Sequence, residues 1–447
     1  MPLPPRAIRS VLDALKPALD AFARANPGPA PGRQPVHTVY GGAHIFKADT
    51  APKLGRIALQ MLGEYAPDAA AFAEAMGLSG ELAADVRARV AAKLEREPLE
   101  DYHVDFEDGY GLRPDDEEDA HAVAAAREAG AALREGLLPP FFGIRLKALD
   151  AEFAQRSART LDLFVGEFLR AGGGKLPLRF VATLPKVCIP EQVAALASLL
   201  DALERANGAP SGALKIEIMI ETPASILAGD GRAAARALVE AAGGRCALVQ
   251  FGPYDYTAGL GITSAHRHML HGASDFARHV TQVALAGSGV ALSDGGTQLM
   301  PIAPHRPAPG RELSPAQKEE NRAAVHAAWR AHYEHVRHAL AHGYYQGGDL
   351  HPGQLVARYA ATYAYFLEGA PAAGARLRNF VDKAARATLS GAVFDDAATG
   401  QGLLNFFAAA VNCGALSEAE AAGATGLPLE RLKGRSFSAI LAGRIGL

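Results

Sequence analysis

The sequence predicts an α/β protein whose main body is a (β/α)8 TIM barrel with helical insertions. From residue 36 onward, short apolar or β-branched runs alternate with longer Ala/Leu-rich segments of helical spacing, which is typical of parallel β/α proteins. Eight such runs occur, and eight strands close a barrel. An open doubly wound sheet also alternates strands and helices, but it normally carries a Gly-rich phosphate-binding motif, and neither GxGxxG nor GxxxxGK[ST] occurs here.

The first 35 residues predict a separate N-terminal element. MPLPPRAIRSVLDALKPALDAFARANPG has the spacing of an amphipathic helix, and PGPAPGRQP is a Pro/Gly linker into the main body. The segment lacks the continuous apolar stretch and cleavage site of a secretory signal, and no later run has the length that spans a membrane. We therefore divide the chain into residues 1–35, a barrel over 36–365 and a helical C-terminal region over 366–447.

The predicted strands share short length and apolar or β-branched composition. They are HTVYGG (37–42), YHVDFED (102–108), FFGIRL (141–146), RFVATLPK (179–186), KIEIMIET (215–222), ALVQFG (247–252), GVALSDG (289–295) and YYQGGDL (344–350). Between the fourth and fifth, Val193, Leu196, Leu200 and Leu203 share one helix face, and Pro190 suits its first turn. Helical insertions are expected at 66–98 and 263–288, with a Pro-rich excursion at 301–320.

Composition limits the classes of partner. The 447 residues are 49% hydrophobic, which is enough for a substantial core, and 45 basic against 48 acidic side chains give a formal net charge of -3. No overall positive field favours nucleic acid or an anionic membrane, so neither is an expected partner. Cys188, Cys246 and Cys413 lie far apart in apolar or small-residue surroundings, which is typical of reduced thiols in a cytoplasmic protein.

Charged residues follow several predicted strands, where a barrel places its active site. The stretch DYHVDFEDGYG crowds three acids into four residues, and the other charged strand ends are Arg145, Lys186, Glu221, Asp255, Asp349 and His351. Carboxylates brought together in this way need a compensating cation. Glu221 and Asp255 are the best ligand pair for a hard cation, Mg²⁺ first, although each could instead be a helix cap or a salt-bridge partner.

The order of these motifs resembles the superfamily of the citrate lyase β subunit, malyl-CoA lyase and the HpcH/HpaI aldolases. The similarity runs through most of residues 36–400. DFED (105–108) is similar to that superfamily's D-[LF]-E-D, GIRLKAL to V-R-[IV]-N, LPKV to its fourth-strand Pro-Lys, IETP to I-E-T, FGPYDYTAGLG to F-G-x-x-D-[LY]-x-x-x-L-G, and GGDLHPGQL to G-x-x-x-I-H-P-x-Q. Six motifs in the same order are specific, and they imply a Mg²⁺-dependent barrel enzyme.

The resemblance also implies roles for individual residues. Glu221 and Asp255 would bind Mg²⁺, and Arg145 would clamp a substrate carboxylate or enolate, for which its planar guanidinium is suited. Arg145 could instead be a structural partner of the acids in the second strand. Glu107 and Asp108 are expected to hold metal-bound waters, substrate or neighbouring cations in place. Lys186 could form a Schiff base, but we favour an electrostatic or structural role because metal chemistry would make a nucleophilic lysine unnecessary.

The late segment SGAVFDDAATGQG is similar to the superfamily's G-[KR]-M-I-D-x-P, which lies in a lid after the barrel. Asp395 takes the place of that motif's catalytic Asp, although Asp396 and Ala397 follow without the expected proline. The resemblance therefore implies a C-terminal helical lid extension and an acid/base role for Asp395, in its own site or a neighbouring subunit's. A helix cap for the segment that follows is the alternative.

Together these features predict a cytoplasmic, Mg²⁺-dependent carbon–carbon lyase that acts on a 2-oxo acid or β-hydroxy acyl substrate through a metal-stabilised enolate. The resemblance implies a small carboxylated substrate, with a CoA thioester still open, and a homo-oligomer, typically a trimer or hexamer. Acyl-CoA thioester hydrolysis or oxaloacetate decarboxylation on the same site is an alternative. A non-catalytic barrel that only binds a ligand is a third.

Overall fold

A computed structural model describes residues 3–30, 32–307, 309–382, 388–390, 393–395 and 397–433. Eight parallel strands form a closed barrel in sequence order, with the first strand paired to both the second and the eighth. They are β1 His37–Gly42, β2 Asp101–Asp105, β3 Phe141–Arg145, β4 Arg179–Leu184, β5 Leu214–Ile220, β6 Cys246–Phe251, β7 Ala291–Asp294 and β8 Gln346–Asp349. The predicted TIM barrel is confirmed, and each predicted strand overlaps an observed one.

Helices surround the barrel and extend both ends of the chain. They are α1 Pro5–Ala25, α2 Thr50–Tyr65, α3 Ala69–Met76, α4 Gly80–Arg96, α5 Asp115–Glu135, α6 Ala154–Ala171, α7 Pro190–Asn207, α8 Pro223–Ile226, α9 Ala235–Ala241, α10 Pro253–Gly259, α11 Gly272–Leu285, α12 Pro315–Ala341, α13 Gln354–Asp382, α14 Ala397–Asn412, α15 Glu418–Thr425 and α16 Leu429–Lys433. The described part of the chain includes no helix long and apolar enough to cross a membrane. The insertion expected at 66–98 contains α3 and α4, while α13 runs without interruption through residues 365 and 366.

The apolar core lies between the barrel and its helices. Phe142 and Phe180 point outward from β3 and β4 and meet Phe164 and Phe168 of α6, with the rings of Phe142 and Phe168 centred 5.7 Å apart. The period-two alternation of strands then turns the residues between them toward the barrel axis. These strands therefore bury one set of side chains under helices and present the other set to the interior.

The barrel interior is polar, whereas barrels are usually filled by branched apolar side chains. The imidazole of His103 lies with Nε2 3.1 Å from Asp101 Oδ1 and Nδ1 3.0 Å from Thr183 Oγ1. Tyr40 donates its hydroxyl to Glu217 Oε1 at 3.0 Å. Burial alone would lower the pKa of His103, but the carboxylates of Asp101 and Glu217 raise it above its ordinary value. This network forms a charged, hydrogen-bonded floor beneath the mouth.

The expectation that Asp349, at the end of the eighth strand, supplies charge to the mouth is wrong. The side chain is buried on the outer face of β8, where its carboxylate accepts from Arg358 Nη2 at 2.8 Å and lies 2.9 Å from His332 Nε2. Gly348, one residue earlier, lines the mouth instead. Asp349 lies one residue away in the strand alternation, so it ties the barrel to α12 and α13 and contributes nothing to the mouth.

Candidate active site

A cavity of about 550 Å³ opens at the carboxyl ends of the strands. Its walls come from seven of the eight strands and the loops that follow them, as expected for the functional face of a barrel. Its lining includes Tyr40, Asp105, Asp108, Arg145, Glu221, Gln250, Gly252 and Asp255. The structure thus brings the predicted metal ligands and the predicted carboxylate clamp to one cavity.

Arg145 is held by Asp105 on the neighbouring strand. The two residues are directly opposite each other in the β2–β3 register, and Arg145 donates from Nε at 2.7 Å and from Nη2 at 2.5 Å to the two oxygens of Asp105. Backbone N–H groups of Glu107 and Gly109 donate to the same carboxylate. Burial would raise the pKa of Asp105, but the guanidinium and these N–H groups lower it below its ordinary value.

This pairing leaves one edge of the guanidinium for the mouth. Nη1 of Arg145 lies 3.2 Å from Glu107 Oε2, and the guanidinium stacks 4.8 Å above the ring of Tyr40. The two roles considered for Arg145 are therefore compatible, because one edge pairs with Asp105 while Nη1 remains beside the cavity. A guanidinium fixed in this way is preorganised to bind an anionic group.

Lys186 provides the second cation of the mouth. Its ammonium contacts Glu107 Oε1 directly and lies 3.6 Å from Asp108 Oδ1 and 4.0 Å from Asp255 Oδ2. Burial alone would lower the pKa of Lys186, but the charge and hydrogen bond of Glu107, together with the charges of Glu221 and Asp108, raise it. A lysine held in its protonated form is a poor nucleophile, so these contacts favour the electrostatic role over a Schiff base.

The backbone of Lys186 is also unusual. Its φ of 53° makes it the one non-glycine residue with positive φ among the residues that the structure describes. Side chains avoid this left-handed region, and residues held there often lie at functional sites. In this conformation the Lys186 N–H donates to Glu221 Oε1 at 2.6 Å, so the turn after β4 orients the carboxylate at the end of β5.

Glu221 and Asp255 differ in burial. Glu221 is 3% exposed, whereas the side chain of Asp255, in the first turn of α10, is 47% exposed. Burial, together with the charges of Glu107 and Asp255, raises the pKa of Glu221 to about 8 in spite of the nearby Lys186. A cation at this position would offset the repulsion that raises this pKa.

The turn after β6 is shaped around the Glu221 carboxylate. A Cβ on Gly252 would lie 2.6 Å from Glu221 Oε2, so only glycine lets this turn approach so closely. The result is one buried and one half-exposed carboxylate facing the same cavity. Two carboxylates with room for water and substrate oxygens form a donor set that suits Mg²⁺, which keeps much of its hydration, so the residues present fit this ion.

The other predicted residues, His44, His351 and Asp395, are not among the described residues that line the cavity. His351 accepts the N–H of Gly353 through Nδ1 and so shapes its own loop, while His44 is exposed beside the ring of Tyr110. Asp395 ends a short strand, Val393–Asp395, that pairs with Thr388–Ser390 in a separate two-stranded sheet. Its side chain lies outside the described residues, so its acid/base role stays a prediction.

Sequence reasoning missed the interior floor, namely Tyr40, His103, Thr183, Glu217 and Gln250. The available signal was strand alternation, because His103 precedes Asp105 by two residues and Glu217 precedes Glu221 by four. Residues at these spacings point to the same side of a strand as the mouth residues. Ionisable side chains an even number of residues before the mouth residues of the same strand could therefore have identified the floor.

The family model described as Domain of unknown function (DUF6986) matches residues 15–440. No curated protein matches the chain. Among solved structures, a citrate lyase from Burkholderia xenovorans LB400 is similar with a TM-score of 0.56 and 16% identity, over 90% of this chain and 99% of that one. This similarity confirms the predicted resemblance at the level of the fold.

Two further solved structures are similar with lower TM-scores. Malate synthase from Haloferax volcanii, solved as a magnesium/glyoxylate complex, has a TM-score of 0.47 and 15% identity, over 91% of this chain and 96% of that one. CitE from Mycobacterium tuberculosis, solved with magnesium, acetoacetate and coenzyme A, has a TM-score of 0.46 and 16% identity, over 88% and 99%.

Proposed function

We propose that this chain, which belongs to the family described as Domain of unknown function (DUF6986), is a Mg²⁺-dependent carbon–carbon lyase of the aldolase or citrate lyase type. Its substrate would be a small 2-oxo acid or a β-hydroxy acyl compound, with a CoA thioester as one form of the latter. The observation that carries the proposal is the convergence of Glu221, Asp255 and Arg145 on one cavity. The six ordered motifs of the sequence support the same function.

The site residues would have separate roles in binding the metal ion, binding the anionic substrate and transferring a proton. Glu221 and Asp255 would hold Mg²⁺, which when bound polarises a carbonyl oxygen and offsets the negative charge that develops there. Nη1 of Arg145 would bind the substrate carboxylate, oriented by the pair with Asp105. Lys186 would hold two carboxylates in place, that of Glu107 through its ammonium and that of Glu221 through its backbone N–H.

Cleavage of a β-hydroxy substrate needs one base and one acid. The base removes the hydroxyl proton, a C=O bond forms, and the electron pair of the broken C–C bond passes to the neighbouring carbon, which is then protonated. We propose Asp395 for this proton transfer, in its own site or from a neighbouring copy. Glu107 and Asp108 are placed to hold water or substrate near the two cations.

Removing either proposed metal ligand is expected to abolish Mg²⁺ binding and turnover. Glu221→Gln and Asp255→Asn should each lower the turnover number by at least about 100-fold, because a metal Lewis acid supplies several kcal/mol of stabilisation. Isothermal titration with Mg²⁺ and a turnover assay measure the two effects, and circular dichroism checks the fold. Asp116→Asn, an exposed acid on α5, should change neither. Metal-dependent turnover retained in both ligand variants would refute the assignment.

Product analysis separates the lyase from its alternatives. Incubation with pyruvate and aldehydes should yield a condensation product, whereas a hydrolase would release free CoA from acyl-CoA and a decarboxylase would release CO₂ from oxaloacetate. Mg²⁺ binding without any of these reactions would favour a binding protein. The intact set of Arg145, Glu221 and Asp255 supports an enzyme, and the three free cysteines fit a cytoplasmic location.

We propose that the chain assembles with further copies of itself through α1. One face of this helix carries Ile8, Leu12, Leu15, Leu19 and Phe22, all of them exposed. In an antiparallel pair centred between Ala14 and Leu15, Arg9 would lie opposite Asp20, and Asp13 opposite Lys16, so the helix is complementary to itself in charge as well as in apolar pattern.

Leu15→Glu is expected to reduce the molar mass of the assembly by half, because the change places a charge at the centre of the apolar face. Size-exclusion chromatography with light scattering measures this mass. Ser10→Glu, on the opposite face of the same helix, is the matched control and should leave the mass unchanged. An unchanged mass for Leu15→Glu would show that α1 does not join the copies.

A further inference from the structure

Two histidines and an aspartate meet outside the set of residues that line the mouth. Asp275 lies in the first turn of α11, His338 in the last turn of α12, and His342 directly after α12. One ligand atom from each lies within 4.8 Å of the other two, and the described residues contain no other such group of three. We infer that this cluster binds Zn²⁺.

Helix geometry brings the two imidazoles together. His338 and His342 are four residues apart, so they share one face, and their ring centroids are 4.1 Å apart. Pairs of histidines at this spacing are a known zinc-binding arrangement. Nδ1 of His342 lies 2.8 Å from the His338 carbonyl oxygen, to which it must donate. This hydrogen bond fixes the tautomer and leaves the lone pair of Nε2 free for a metal.

Asp275 is oriented from behind by a buried arginine. Arg278 donates from Nη1 to Asp275 Oδ1 at 2.7 Å and from Nε to both oxygens of Asp294 at 3.0 Å. One guanidinium between two carboxylates leaves the group with a net negative charge, which favours a cation. On the other side, His338 Nε2 lies 2.8 Å from Asp275 Oδ1, so the carboxylate already faces the imidazoles.

The donor set selects the kind of metal. Two imidazole nitrogens and one carboxylate oxygen suit Zn²⁺, whereas Mg²⁺ prefers oxygen ligands alone. Three protein ligands leave a fourth tetrahedral position for water or for His279, whose ring stacks on His342 at 5.2 Å between centroids. The ion would fasten α11 to α12. Asp294, which pairs with Arg278, ends β7 next to Gly295 of the mouth.

A Zn²⁺ titration of the full chain tests this site. The chain would carry Glu221→Gln and Asp255→Asn, which remove the proposed metal ligands of the mouth; this is the silenced chain. We expect it to bind one Zn²⁺. Adding His338→Ala or His342→Ala should weaken that binding at least about 10-fold, since even the outer partners of metal ligands matter by that factor. His266→Ala, an exposed histidine outside the cluster, is the matched control and should bind normally.

Thermal unfolding provides a second readout that needs no turnover. Zn²⁺ should raise the Tm of the His266→Ala chain more than that of the His338→Ala and His342→Ala chains, because an ion that binds the folded state stabilises it in proportion to its affinity. In the wild-type background the His338→Ala variant should bind one Zn²⁺ fewer per chain. The inference is overturned if the silenced chain binds no Zn²⁺, or if both histidine variants bind it as tightly as their parent.

Discussion

Arg145→Lys is expected to lower kcat/KM for the cleaved substrate by about 10²- to 10³-fold, the loss typical of removing one fixed donor from a developing anion. The guanidinium uses Nε and Nη2 for Asp105 and keeps Nη1 beside Glu107 and the cavity. A lysine ammonium is a single point charge that cannot do both. It would follow Asp105 and withdraw from the substrate, so kcat should fall and KM should rise.

The control for this prediction is Arg159→Lys. Arg159 is exposed on α6, pairs with Asp119 and has no contact with the mouth, so its variant should keep the wild-type kcat/KM. Binding of oxaloacetate, measured by titration in the presence of Mg²⁺, gives a readout independent of turnover and should weaken only in Arg145→Lys. If Arg145→Lys keeps kcat/KM within about 3-fold, Nη1 does not contact the substrate and Arg145 is only the structural partner of Asp105.

The parts of the fold that could be predicted from sequence are those that depend on local pattern. Eight short runs with apolar or β-branched residues, separated by segments of helical spacing, were enough for the barrel, because the outward-facing side chains of its strands are buried under helices. The same pattern placed Glu221 at the end of the fifth predicted strand and Asp255 after the sixth. Strand ends were less certain: β2 ends at Asp105, so Glu107 and Asp108 belong to the turn that follows.

The remaining features depend on alternation and on long-range pairing. Asp105 and Asp349 both end strands, yet Asp105 points into the mouth and Asp349 points outward to Arg358 and His332. A shift of one residue decides between these outcomes, and the sequence does not fix strand register to one residue. The positive φ of Lys186 is likewise set by the turn that packs around Glu221, not by the residue itself.

Asp105→Ala is expected to lower the free energy of unfolding by about 3–5 kcal/mol, the cost of leaving one partner of a buried ion pair without the other. The side chain of Asp105 is 1% exposed and that of Arg145 is 10% exposed, so removing the carboxylate leaves a largely buried guanidinium without its main partner. Glu107 lies 3.2 Å from Nη1 but is already in contact with Lys186. The N–H groups of Glu107 and Gly109 also lose their acceptor.

Denaturant unfolding of Asp105→Ala beside Asp108→Ala measures this cost against a matched control. Asp108 is three residues away, its side chain is 64% exposed, and its carboxylate lies 3.9 Å from Arg145, so its removal should cost less than about 1 kcal/mol.

Because the pKa of Asp105 is lowered in the folded chain, its stabilising effect is complete above its ordinary pKa and is lost as the pH falls below that value. The difference between wild type and Asp105→Ala should therefore be constant at neutral pH and shrink in acid. Equal losses for the two variants would mean that Glu107 holds Arg145 without Asp105.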